Sequence, residues 1–232
     1  MRIIMSVVLI VAMFFWAREA AAVQAEYVSN KKAMYTFSDE KRCVVIDAGH
    51  GGNDPGKVGV TGCYEKDINL KITKKLKTFL EMEGIDVILT RDDDLGLYSE
   101  TDSSKKSADM RNRVQLIEES NAALAVSVHQ NSYSGESIKG AQTFYYTGST
   151  ESQELARLIQ DRLVYTLDKE NHRKEKANDS YYLLKNTSCP IVIVECGFLS
   201  NNEECRLLET DYYQEKVAGA IYMGIMQYLN AK

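Results

Sequence analysis

The sequence predicts a single α/β domain with a mostly parallel central sheet and helices on both faces. Short apolar runs alternate along the chain with longer segments whose apolar residues recur every three or four positions. The run at 191–194 is apolar at every position, as is typical of a strand buried on both faces of a parallel sheet. Strands that alternate with helices in this way form a sheet covered on both sides. No internal repeat or second domain boundary interrupts the pattern.

Each element follows from its own local pattern. Between 68 and 83, apolar residues recur at the helical period, and Gly84 ends the segment. In chain order, the predicted elements are strand 43–47, helix 68–83, strand 86–90, helix 109–120, strand 123–128, strand 141–146, helix 151–168, strand 191–194 and helix 211–228.

The first residues predict export of the chain. Behind Arg2, residues 3–17 form an almost unbroken apolar run and small residues follow, so we predict a signal peptide or an N-terminal membrane anchor over 1–22. The run has 15 residues, fewer than the ~20 that a spanning helix usually needs. Residues 23–40 lack strong periodicity and are predicted to be a linker, which leaves 41–232 as the functional domain. Membrane contact is expected only through the N-terminal segment.

Composition and charge exclude several classes of protein. The chain has 232 residues, of which 44% are hydrophobic and 26% are charged, so it is neither disordered nor fibrous. Its 28 basic and 33 acidic residues give a net charge of -5, and no basic surface for nucleic acid is expected. A domain of roughly 190 residues folds without a disulfide or structural metal. Any metal is therefore expected to serve chemistry.

The cysteines do not form a metal or redox motif. There are five, an odd number for an exported protein, and none forms a CxxC pair. We expect most of them to be small buried apolar residues, with room for one disulfide whose partners the sequence does not identify. The five are Cys43, Cys63, Cys189, Cys196 and Cys205.

Two of the three histidines follow predicted strands, as does one glutamate. His50 comes after the first strand, His129 after the third in chain order, and Glu195 after the apolar run at 191–194. In a parallel sheet the carboxyl ends of the strands carry the working residues. We therefore expect these three side chains to lie close together. His172 lies in a highly charged stretch and is predicted to be solvated.

Two imidazoles and a carboxylate are a common ligand set for catalytic zinc. Glu65 is the candidate third ligand, because it begins the helix that follows the glycine-rich loop 51–62. Glu195 is the candidate general base, since a carboxylate next to a buried strand needs a polar or metal partner. Spacing alone leaves other interpretations open: no HExxH motif is present, His50 and His129 could be turn residues, and Glu65 could be a favourable first-turn charge.

Four segments resemble the signature blocks of the zinc-dependent N-acetylmuramoyl-L-alanine amidases of type 3. The resemblance extends in order and spacing through nearly all of residues 41–230, which implies that 41–232 is a zinc amidase catalytic domain with an α/β fold. The segments are VIDAGHGG at 45–52, YEKDINL at 64–70, SVHQN at 127–131 and VECGFLSN at 194–201.

The resemblance implies that His50, Glu65 and His129 hold Zn²⁺ and that Glu195 is the catalytic carboxylate. The implied reaction is hydrolysis of the amide between the lactyl group of N-acetylmuramic acid and L-alanine of the stem peptide. In it, zinc activates water, and the carboxylate transfers the proton to the leaving amine. Asn131 is a candidate oxyanion contact. Arg113 matches a family arginine that acts either as a substrate contact or as a tie between helix and loop.

One residue departs from the family pattern. Glu118 stands where the family usually has Asn, away from the zinc blocks.

The segment 132–150 is too short for a helix that blocks the cleft, so an open site is expected. The absence of a wall-binding repeat suggests a localising or activating protein partner.

The compact layout resembles the sporulation and germination branch, which removes stem peptides from muramic acid so that muramic lactam forms in the spore cortex. Vegetative wall turnover is the nearest alternative. A related zinc peptidase or deacetylase and a non-catalytic wall-binding protein are the others, and a binding protein has no need of Glu195.

Overall fold

The computed structural model describes residues 42–231. The predicted signal peptide or anchor at 1–22 and the predicted linker at 23–40 lie outside the described residues. Among the residues that are described, no helix is long and apolar enough to cross a membrane.

Six strands form one sheet in the order β2-β1-β3-β6-β4-β5. Strands β1, β2, β3 and β6 are parallel, β4 is antiparallel to β6, and β5 is parallel to β4. The prediction of a mostly parallel sheet is therefore confirmed, and the strand direction reverses between the neighbouring strands β6 and β4. The strands are β1 (Cys43–Ala48), β2 (Asp86–Leu89), β3 (Leu124–Asn131), β4 (Gln142–Tyr146), β5 (Lys176–Asn178) and β6 (Ile191–Phe198).

Helices cover both faces of this sheet, as predicted. The larger core lies on one face, where α1, α3, α5 and α6 contribute buried residues that pack on the even-numbered residues of β1, β3 and β6. The smaller core lies on the other face, beneath α2 and α4. The helices are α1 (Glu65–Met82), α2 (Lys105–Glu119), α3 (Thr150–Leu167), α4 (Tyr182–Asn186), α5 (Asn202–Leu208) and α6 (Asp211–Asn230).

Two strands extend further than their apolar runs predict. β3 continues through His129 to Asn131, and β6 continues through Glu195 to Phe198. His129 and Glu195 therefore lie within strands rather than after them, and they are directly paired in the parallel register. The hydrogen bonding between β3 and β6 continues beyond their apolar runs. There the polar side chains of His129 and Glu195 face the cavity at the candidate site rather than the core.

Candidate active site

The four predicted site residues come together at the carboxyl edge of the parallel strands. His50 lies just after β1, His129 lies in β3, Glu195 lies in β6 and Glu65 begins α1. Ligand atoms of His50, Glu65 and His129 all lie within 4.8 Å of one another. This brings together candidate metal ligands from the loop after β1, from β3 and from α1, with Glu195 of β6 beside them.

Glu65 stands between the two imidazoles. Its Oε1 lies 3.0 Å from Nδ1 of His129 and 3.2 Å from Nε2 of His50. The backbone amides of Gln130 and Lys57 also donate to this carboxylate, at 3.0 and 2.8 Å. Because Glu65 is almost fully buried, these contacts hold its carboxylate in one position. The charge of the site is therefore fixed in place by strand and loop backbone.

Mutual attraction within this cluster shifts its pKa values. Burial alone would lower the pKa of His50, but hydrogen bonds and charge attraction to Glu65 and Asp54 outweigh burial and raise it to about 9. Burial opposes the charged form of Glu65 as well, yet His129 and His50 hold the pKa of that carboxyl well below its usual range. The cluster therefore favours an anionic glutamate that attracts a cation.

Two glycines make room for the ligand side chains. A Cβ atom at Gly49 would lie 2.2 Å from Cε1 of the His129 ring. At Gly56 it would lie 2.6 Å from Oε2 of Glu65 and 2.7 Å from Cδ2 of His50. The glycines in the loop after β1 are therefore required for close approach of backbone to the ligand set.

Glu195 is a buried carboxylate with an unused oxygen. Its Oε2 has no hydrogen-bond partner among the described residues. Burial raises the pKa of Glu195 to about 7, although His129 opposes the shift and Glu65 adds to it. A carboxyl with this pKa exchanges a proton readily near neutral pH, which is the property that a general base needs.

Two arginines hold the backbone that leads to His50. Arg91 and Arg113 each donate to the carbonyl oxygen of His50 at 2.7 Å. Both also donate to the carbonyl of Ala48, at 3.0 and 2.8 Å. His50 itself adopts a left-handed conformation with φ of 64°, which is strained for a residue other than glycine. The two guanidinium groups stabilise this turn and so orient the His50 ring.

A buried carboxylate neutralises one of these arginines. Asp47 accepts hydrogen bonds from Arg113, Ser127 and Thr90. Burial opposes its charge, but Arg113 and the hydroxyl donors outweigh burial and lower the pKa of Asp47 to about 2. Arg113 therefore ties α2 to the loop after β1, and because it also lines the cavity at the site, its role as a substrate contact stays a prediction.

Two residues that contact His50 were not expected from the sequence, namely Asp54 and Arg91. Asp54 Oδ2 lies 2.9 Å from Nδ1 of His50, on the side of the ring away from Glu65. A carboxylate that binds the ring nitrogen not used for the metal is the usual support for a metal-binding histidine. The available sequence signal for Asp54 was its position four residues after His50. Arg91 follows β2, and nothing in its local pattern indicates that it reaches the carbonyls of the neighbouring strand.

Asn131 and Glu118 make local contacts. Oδ1 of Asn131 accepts from the amide of Ser132 at 2.8 Å, and Asn131 does not line the cavity at the site. Its role at an oxyanion stays a prediction. Glu118 accepts from the amide and the hydroxyl of Ser188, both at 2.7 Å, and so joins α2 to the segment before β6. His172 is exposed, as predicted.

A cavity of about 150 Å³ opens beside the ligand set. His50, His129 and Glu195 line its polar side. Residues 132–141, which join β3 to β4, contain only turns and irregular backbone. Part of the remaining lining comes from β1, the loop after it and Ile193 of β6. The rest comes from α2 and the region of α4, and includes Lys106, Met110, Tyr181, Tyr182 and Leu183.

The residues present fit a divalent metal with nitrogen and oxygen ligands. Two imidazoles and one carboxylate leave a fourth position open, as in catalytic zinc sites. His50 and His129 line the cavity together with Glu195, whose Oε2 has no hydrogen-bond partner among the described residues. A cation would thus meet three prepared ligands and a nearby proton acceptor.

Comparison with known proteins gives a consistent result. The family model for N-acetylmuramoyl-L-alanine amidases matches residues 44–227. A germination-specific N-acetylmuramoyl-L-alanine amidase of Bacillus subtilis is 39% identical over 194 residues, covering 82% of this chain and 81% of that protein. The solved structure of the CwlD amidase from Clostridioides difficile, in complex with the GerS lipoprotein, is 45% identical with a TM-score of 0.80.

That match covers 82% of this chain and 100% of the CwlD chain. AmiC2, an N-acetylmuramoyl-L-alanine amidase of Nostoc punctiforme, is 33% identical with a TM-score of 0.72 and covers 83% of this chain and 99% of its own. The match to the family model includes the segments that carry all four site residues. The chain belongs to the N-acetylmuramoyl-L-alanine amidase family and is an amidase that acts on peptidoglycan.

Proposed function

We propose that this amidase is zinc-dependent and that His50, Glu65 and His129 hold the metal. The observation that carries the proposal is the buried Glu65 carboxylate between two imidazoles, with the unpaired oxygen of Glu195 beside them. When bound, zinc polarises the scissile carbonyl and lowers the pKa of a water molecule toward ~7. The scissile amide joins the lactyl group of N-acetylmuramic acid to L-alanine.

The chain's own residues then perform the proton transfers. Glu195 takes a proton from the attacking water and passes it to the nitrogen of L-alanine, which leaves as a free amine. The pKa of Glu195, raised to about 7 by burial, suits both halves of this transfer. Arg91 and Arg113 keep His50 in its turn, and Asp54 supports the His50 ring.

The biological setting is a proposal of its own. We infer a role in spore cortex maturation or germination, which is supported by the likeness to the germination-specific amidase of Bacillus subtilis. The apolar N-terminal run supports export to the extracytoplasmic face of the membrane or the spore envelope. The likeness to an amidase solved with a lipoprotein supports a localising or activating protein partner.

The test of the chemistry is mass spectrometry of purified peptidoglycan after digestion by the protein. Stem peptides that begin with a new N-terminal L-alanine, lost with a zinc chelator and restored by zinc, are expected. Release of acetate instead would identify a deacetylase. Intact muropeptides despite bound zinc would point to a missing partner.

Two variants separate metal binding from proton transfer. Glu195→Gln should retain zinc and lose activity, by a factor of about 10² to 10⁴, whereas His129→Ala should lose both zinc and activity. Glu215→Gln, an exposed carboxylate on α6, is the matched control and should behave like the parent protein. A fully active Glu195→Gln protein would overturn the assignment.

A further inference from the structure

Two cysteines meet outside the active site. Sγ of Cys63 lies 3.5 Å from Sγ of Cys205, although the two residues are 142 positions apart in sequence. Cys63 belongs to the loop that leads into α1, and Cys205 lies in α5. Cys205 is fully buried, and Cys63 is partly buried against the same core. The pair makes the only contact between two thiols in the described part of the chain.

The backbone around these sulfurs leaves room for a bond between them. A Cβ atom at Gly59 would lie 2.6 Å from Sγ of Cys63 and 2.7 Å from Sγ of Cys205, so only glycine allows both sulfurs their present positions. The loop is already anchored nearby, because the amide of Val60 donates to the carbonyl of Leu199 at 3.0 Å. A disulfide is about 2.0 Å long. Formation of the bond therefore requires the two sulfurs to approach by about 1.5 Å.

A metal is the competing occupant of this cluster. Glu209 is the third group whose ligand atom lies close to both sulfurs. Its side chain is exposed, and structural zinc sites are closed by four cysteine or histidine ligands. The hydroxyl of Thr61 contacts Sγ of Cys205 at 3.3 Å. Two thiols with one solvated carboxylate match a disulfide better than a closed metal site.

We propose that Cys63 and Cys205 form a disulfide in the exported protein. This rests on the extracytoplasmic setting proposed above, where disulfides persist. The oxidant is a disulfide of a thiol–disulfide oxidoreductase or of oxidised glutathione. One cysteine thiolate attacks that disulfide to give a mixed disulfide, and the second then displaces the oxidant. The two cysteines lose two electrons and two protons, and the oxidant takes them up as it becomes a pair of thiols.

The bond would join two segments that serve the active site. Cys63 precedes the candidate ligand Glu65 by two residues, and α5 follows the strand that carries Glu195. The loop between β1 and α1 is rich in glycines with positive φ, so its unfolded form has large conformational freedom. A link across 142 residues restricts the unfolded chain strongly. The bond is therefore expected to stabilise the loop that positions Glu65.

The test counts thiols in the purified full chain before and after incubation with oxidised glutathione. The five free thiols should fall to three, with a mass lower by two hydrogens and a non-reduced peptide that links residues 63 and 205. The Tm of the oxidised protein should rise on the order of 10 °C, and reduction should reverse the rise.

Matched variants identify the bond. Cys63→Ser and Cys205→Ala should not form the cross-link, whereas Cys189→Ser, at another half-buried cysteine, should form it normally. Cys63→Ser serves alone if the fully buried Cys205 position does not accept alanine. A lasting glutathione adduct on Cys63, or a cross-link between other cysteines, would overturn the proposal. So would a second zinc ion that disappears in Cys205→Ala. Because these measurements count thiols and metal, failure of the proposed amidase chemistry would not be mistaken for failure of the disulfide.

Discussion

The carbonyl oxygen of His50 accepts from two guanidinium groups, and this is the main restraint on a strained residue. A left-handed conformation costs a non-glycine residue on the order of 1–3 kcal/mol. Arg91 and Arg113 offset that strain with charged hydrogen bonds at 2.7 Å, which are stronger than neutral ones. The ring of His50 is thus positioned by its backbone as well as by its hydrogen bond to Asp54.

Replacement of Arg113 should therefore destabilise the protein strongly. Arg113→Met leaves the Asp47 carboxylate buried without its cation, and loss of one partner from a buried pair costs about 3–5 kcal/mol of unfolding free energy. Arg157→Met is the control, because Arg157 forms an exposed pair with Glu154 that is worth about 1 kcal/mol at most. Urea denaturation followed by circular dichroism measures both. Equal stability of the two variants would contradict the proposed tie.

The pH profile of kcat/KM should report Glu195. The residue acts as a base only when deprotonated, so activity is expected to rise tenfold per pH unit on the acid side and then to level. Burial raises the pKa of Glu195 to about 7, while a bound cation would favour the carboxylate. We therefore expect the acid limb between the ordinary value of 4.5 and about 7. A limb below 4.5 would mean that another group takes the proton.

Among individual residues, the sequence predicts the candidate catalytic and metal-binding groups better than the residues that hold them in position. His50, His129 and Glu195 could be identified because polar residues at the ends of apolar strands are conspicuous. Arg91 could not, because its partners are backbone carbonyls of another strand, and carbonyls carry no sequence signal.

Among the elements, α3 and α6 are in close contact at a glycine of α6. A Cβ atom at Gly224 in α6 would lie 2.7 Å from Cα of Ile159 in α3, so backbone lies against backbone there. Gly219 is in the same helix, but a Cβ atom at that position would meet nothing nearer than Phe79 at 3.9 Å. One helix thus offers two glycines in opposite surroundings.

Alanine substitutions at these two glycines should have opposite effects. Gly219→Ala should stabilise the protein by up to about 1 kcal/mol, because alanine favours a helix over glycine. Gly224→Ala should destabilise it by about 1–3 kcal/mol or more, because the helices must separate to admit the methyl group. Thermal unfolding of the two variants side by side tests the contact. Stabilisation by both would show that the helices have room at Gly224.

The long helices and the apolar strands could be predicted, whereas three short elements could not. Helix α1 has a clear period, whereas β5, α4 and α5 have three, five and seven residues, too few for a period to show. The start of α1 at Glu65 was predicted from its position after the glycine-rich loop, although the apolar period of the helix begins only at Ile68. The reversed direction of β4 depends on the path of the preceding connection, which no residue pattern specifies.

For the molecule as a whole, metal binding and stability should be linked. A ligand that binds only the folded state adds RT ln(1 + [L]/Kd), or about 2.7 kcal/mol at a hundredfold excess over Kd. Zinc should therefore raise the Tm by roughly 5–10 °C. His129→Ala should abolish this rise, and His172→Ala, at the exposed histidine, should retain it. A rise that survives His129→Ala would place the metal elsewhere.

The restraints on His50 are separate from the candidate metal ligands. The turn is completed by the arginine side chains and Asp47, none of which belongs to the candidate ligand set. A substitution at Glu65 or His129 would therefore remove a candidate ligand without removing any hydrogen bond from the two arginines to the turn. Ligand affinity and backbone geometry at this site can thus change independently of each other.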